Sequence, residues 1–89
     1  MLNQVVLVGR ISQLKPNKVI VAVPRAYKNA EGEYDTDYIP IKLTGGIAES
    51  TLNYCKKGDM IGVKGRLMME HGDLVIMAEK VSFLSSGKN

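Results

Sequence analysis

The chain has 89 residues and a net charge of +3, with 45% hydrophobic and 24% charged residues. That length fits one domain, residues 1–89, and the composition is globular rather than disordered, with a core thin enough to gain from self-association. No apolar run is long enough to span a bilayer and no secretory signal opens the chain, so a cytoplasmic protein away from membranes is expected, and its mild positive charge permits a polyanionic partner.

Asn3 to Ile11 is β-branched and apolar, with Gly9 inside it. A glycine within a strand marks a bulge or bend. This predicts one long strand, bent near Gly9, that serves two parts of a curled sheet. Ser12 to Asn17, with Lys15-Pro16-Asn17, is expected to turn. Lys18 to Tyr27 is the second predicted strand, and Pro24, which has no N–H, implies an edge or bulge there. Lys28 to Asp35 is a loop around Gly32. With Asp37 it carries the carboxylates Glu31, Glu33 and Asp35, either as a solvated hairpin tip or as a charge that restricts where a polyanion can run.

Thr36 to Leu43 alternates cleanly. Ile39, Ile41 and Leu43 share one face, while Tyr38, Pro40, Lys42 and Thr44 share the other. An aromatic ring and an ammonium on the outer face suit an unstacked base beside its phosphate. A surface-filling tyrosine with a solubilising lysine is the alternative. Ile47 to Lys57 has Ile47, Ala48, Thr51, Leu52 and Cys55 at helical spacing, with Lys56, Lys57 and Gly58 marking its end. Tyr54 is expected to pack. The lone Cys55 leaves no internal disulfide, suits a reducing compartment and reads as a small core residue.

Met60 to Met69 and Leu74 to Leu84 form a predicted hairpin around Glu70-His71-Gly72-Asp73, and Ser85 to Asn89 is a polar end. His71 has no second ligand nearby, so no metal site is expected. The chain also lacks a phosphate-binding glycine loop and a carboxylate pair placed for acid–base work, so neither a cofactor nor an enzyme is expected. Three strands, a helix and a hairpin, with glycines at the bends, predict an all-β chain: an OB-fold, a five-stranded Greek-key barrel with one helix between strands three and four.

Several stretches also resemble bacterial single-stranded DNA-binding proteins. They are the opening Met1 to Ile11, Lys28-Asn29 with Gly32-Glu33, Thr36-Asp37-Tyr38-Ile39, Tyr54 to Asp59, and Gly62 to Leu67. They occur in family order and at near-family spacing over almost the whole chain. The resemblance implies an OB-fold that wraps single-stranded DNA and works as a homo-oligomer, usually a tetramer, nucleoid-associated in the cytoplasm. It places Tyr27 and Tyr38 at stacking positions and makes Tyr54 structural. Arg25, Lys28, Lys42, Lys64 and Arg66 then become the cations expected on phosphates, with Arg10 a weaker candidate. The chain departs from the family pattern at Thr44, where an aromatic is common, in its short first connection and in its short last hairpin. It also stops soon after the last strand, which implies either a trimmed sequence or a compact, tail-less variant. A protein-interaction adaptor on the same barrel, resembling a dimeric primosomal replication protein, is the rival reading.

Overall fold

The computed structural model describes residues 1–86. Five strands close into a barrel in the order β1-β2-β3-β5-β4. They are β1 (Val5–Lys15), β2 (Lys18–Pro24), β3 (Thr36–Lys42), β4 (Met60–Glu70) and β5 (Asp73–Ser85), with α1 (Gly45–Tyr54) between β3 and β4. This is the expected all-β architecture. Inward residues from every strand meet in one core, including Ile11, Val19, Val21, Ile41, Ile61 and Val63. Residues 87–89, part of the expected polar end, lie outside the described residues.

The first strand does serve two neighbours. Val5 to Arg10 pair with β4, and Arg10 to Lys15 pair with β2, so Arg10 sits opposite both Met60 and Ala22. Gly9 lies at the bend because nothing larger fits. A Cβ there would collide with the Ala22 carbonyl oxygen and come within 2.7 Å of Val21 Cγ1. The strand runs further than its sequence pattern suggests. The β1–β2 register shifts between Ile11 and Gln13, so Ser12 is an extra residue. That bulge reverses the alternation and lets Leu14 pack on the core, where an unbroken strand would turn it outward. At its other end the strand starts at Val5, but Asn3 extends the pairing through its side chain. Its Nδ2 donates to the Leu67 carbonyl at 2.7 Å, and its Oδ1 accepts from the Leu67 N–H at 2.9 Å.

The helix is shorter than expected. It ends at Tyr54, with Cys55 already extended, so Lys56 and Lys57 do not occupy its last turn. Gly58 has φ of 96°, but it serves the next turn, where its N–H donates to the Ile11 carbonyl at 2.8 Å. Thr51 is fully buried in the helix and satisfied by donating to the Ile47 carbonyl at 2.7 Å. Cys55 is buried as expected, and burial pushes its thiol above the ordinary cysteine range, with Asp59 adding to the shift. Tyr54 remains largely exposed and touches Phe83 at a centroid distance of 6.0 Å. The β4–β5 turn needs positive φ at His71 and Gly72, 52° and 85°, the geometry of a tight two-residue hairpin.

Candidate nucleic-acid interface

Outward side chains of neighbouring strands line up in rungs, because registered residues point to the same face. One rung runs Met60, Arg10, Ala22, Tyr38 across β4, β1, β2 and β3. It floors an open groove of about 360 Å³ that is also lined by Val8 and Pro24. Tyr38 is 63% exposed at the β3 end of this groove. Arg10 is steadied there by an Nη1 hydrogen bond to the Gly58 carbonyl at 3.1 Å.

A second rung runs Lys15, Lys18, Lys42, Met77, Arg66 across β1, β2, β3, β5 and β4. It lies four residues further along β3, roughly 13 Å from the first rung at ~3.3 Å per residue. Its cations are partly neutralised. Lys42 Nζ meets both Glu70 carboxylate oxygens at 2.8 and 2.9 Å, and Arg66 Nε lies 3.9 Å from Glu79. The Lys42–Glu70 pair is half-buried, whereas the Arg66 pair is solvated and contributes little.

Beyond β2 the loop is tied by its own side chains. Arg25 donates to both Asp37 oxygens, at 3.1 and 3.0 Å, and lies 3.8 Å from Asp35. That hydrogen bonding holds the Asp37 carboxyl below its usual range and raises the Arg25 guanidinium. Asn29 Oδ1 accepts from the Glu31 and Glu33 N–H groups, both at 2.9 Å, and its amide donates to Asp35 at 3.1 Å. Part of the acidic loop's charge is therefore used internally. Tyr27 stands out from this loop at 73% exposure, and the Lys28 ammonium lies 5.9 Å over the Tyr34 ring.

The expected residues thus separate. Tyr38 and Arg10 share the first rung, Lys42 and Arg66 share the second, and Arg25, Tyr27 and Lys28 belong to the loop. Lys64 points outward on β4, registered against Val6 and Lys80, away from Tyr38. Lys15, Lys18 and Tyr34 complete these surfaces and escaped the sequence reading. The Ser12 bulge hid Lys15, while the alternation of Lys18 with Ile20 and Ala22 already placed Lys18 outside. Among the described residues, no group of three His, Cys, Asp or Glu side chains gathers to hold a metal ion, and no helix is long and apolar enough to cross a membrane.

The sequence and the fold have counterparts among known proteins. Residues 2–83 match the family described as "Single-strand binding protein family". Single-stranded DNA-binding protein B of Bacillus subtilis is 40% identical over 75% of this chain and 68% of its own. Single-stranded DNA-binding protein 2 of Clostridium acetobutylicum is 34% identical over 99% of this chain and 80% of its own. Among solved structures, a small single-stranded DNA binding protein from Mycoplasma pneumoniae superposes with a TM-score of 0.66 at 27% identity, covering 91% of this chain and 92% of that one. A match over residues 2–83, nearly the whole chain, means that this chain belongs to the single-strand binding protein family.

Proposed function

We infer that this protein binds single-stranded DNA with little regard for sequence, by stacking bases on Tyr38 and Tyr27 and neutralising phosphates with nearby cations. The observation that carries the reading is Tyr38, an uncovered ring in an open groove with Arg10 on the same rung. A ring accepts the face of any base, so affinity follows exposure of the base and not its identity. Paired bases keep their faces covered, so duplex DNA binds far more weakly. The cations that serve the strand are Arg10, Lys28, Lys42, Lys64 and Arg66, and Arg25 once it exchanges Asp37 for phosphate. Single-strand protection during replication, recombination or repair follows from such binding.

Self-association is part of the same reading. Among the described residues, residues 5 to 9 of β1 pair only with β4, which leaves their other edge without a strand. An exposed edge invites a second copy to pair by two-fold symmetry. Beside that edge, Val6 is 69% and Val8 52% exposed, next to the half-exposed Leu84. Pairing at the edge gives a dimer, and stacking of this apolar face gives a tetramer. The test is competition between oligo-dT, an RNA oligomer and duplex DNA for the protein, followed by tyrosine fluorescence. Preferential quenching by the single strands is expected. Equal binding of duplex and single strand would remove stacking from the mechanism.

A further inference from the structure

The connection from β2 to β3, residues 25–35, is longer than the roughly 2–5 residues of a common hairpin loop. A segment of that length on a protein surface is ordinarily mobile. This one has no apolar interior to hold it. Residues 25–28 and 30–35 are all exposed, and Asn29 alone among them is half-buried. None of the residues that build the barrel core lies in the loop. Its order therefore comes from hydrogen bonds, and they converge on Asn29.

The Asn29 side chain works in two directions. Its Oδ1 accepts from the Glu31 and Glu33 N–H groups, each at 2.9 Å, and its Nδ2 donates to Asp35 Oδ1 at 3.1 Å. The first two bonds close an Asx-type turn, and the third ties that turn to the base of the loop. The main chain repeats the closure. The Asn29 N–H donates to the Glu33 carbonyl at 2.7 Å, and the Gly32 N–H donates to the Asn29 carbonyl at 3.0 Å. Gly32 makes the turn possible with φ of 79°. At the other end of the segment, the Arg25 N–H donates to the Asp35 carbonyl at 2.8 Å. Tyr27 lies between these two closures. Its ring is 73% exposed, so little packing sets its direction, and the tied backbone on either side does so instead.

We propose that Asn29 is a positioning residue for Tyr27. It holds the loop in the geometry that receives a base before any strand arrives. Ordering the loop is then part of folding, and no entropy is lost to it at the moment of binding. This rests on the reading above, in which Tyr27 stacks a base. Asn29 itself touches no nucleotide in this scheme. Its effect reaches DNA only through the ring two residues away.

A double-mutant cycle read by anisotropy of labelled oligo-dT tests the scheme. Asn29→Ala should bind about 3- to 10-fold more weakly, because the freed loop must be ordered by the strand. It should keep the wild-type melting profile, since the loop adds nothing to the core. In a Tyr27→Ala background the same change should cost nothing further, because no ring is left to position. In a Tyr38→Ala background it should keep its full effect. Backbone NMR relaxation should find residues 27–33 rigid in the wild type and mobile in Asn29→Ala. Wild-type affinity in Asn29→Ala, an equal loss with and without Tyr27, or a loop already mobile in the wild type overturns the proposal. Wild-type affinity in Tyr27→Ala, or failure of the wild-type protein to bind oligo-dT, overturns the stacking reading on which it rests.

Discussion

Arg25 and Asp37 form a two-point pair at the entrance to the β2–β3 loop, with Nε on one carboxylate oxygen and Nη2 on the other. The pair takes Nε and one Nη2 hydrogen and counters the guanidinium's charge, so a phosphate that leaves Asp37 in place meets only the remaining Nη1 and Nη2 donors of an already neutralised group. Asp37→Asn should loosen the loop and free Arg25, tightening oligo-dT binding about 2- to 5-fold and steepening the salt slope by about 0.7. Oligo-dT titration at several salt concentrations measures both effects. An unchanged affinity and slope would show that Arg25 stays out of the strand's path.

The same pair gives a pH dependence with a definite sign. Asp37 titrates below its ordinary value because Arg25 hydrogen-bonds its charged form. Its contribution to folding is therefore fully present above about pH 3.9 and is lost as pH falls through the lower native value. The Arg25 Nε–H resonance, which reports the hydrogen bond to Asp37, should shift in that acid range. In Asp37→Asn it should no longer follow this titration.

Tyr38→Ala should weaken binding to every single-stranded sequence by a similar factor, ~5- to 150-fold for the loss of one stack worth about 1–3 kcal/mol. Tyr38→Phe should retain most of the affinity, since the ring and not the hydroxyl meets the base. Fluorescence anisotropy with labelled oligomers of different composition measures both. Equal affinity of Tyr38→Ala and wild type for oligo-dT would remove this ring from the mechanism.

Gly9→Ala should destabilise the barrel by about 1–3 kcal/mol, because the new methyl meets the Ala22 carbonyl and Val21 with no room to move. For a domain of this size each kcal/mol lowers Tm by roughly 4–8 °C. Thermal unfolding of the two proteins gives the comparison.

Val8→Glu should shift the free protein to smaller assemblies in sedimentation or native mass measurement, because a carboxylate on the exposed β1 face cannot be buried cheaply. An unchanged mass would move the association surface elsewhere.

Most of the barrel was legible in the sequence because it follows from local patterns. The alternation of Thr36 to Leu43, the glycine at position 9 and the turn at Gly72 each carry their own signal. What escaped depends on register. Ser12 is an ordinary polar residue, and only its lack of a partner on β2 makes it a bulge and Lys15 an outward cation. The early end of α1 at Tyr54 reflects a chain recruited to pair with Ile11, a non-local demand that overrides helical spacing. At the candidate interface, residue type pointed to Tyr38 and Lys42, but only the folded barrel places Glu70 on Lys42 across 28 positions of sequence.

The pairing of Val5 with Gly65 has a consequence for synthesis. A chain leaving the ribosome exposes the apolar start of β1 long before its β4 partner has been made. The barrel cannot close until β4 and β5 have emerged, so the nascent β1 edge is open to mispairing meanwhile.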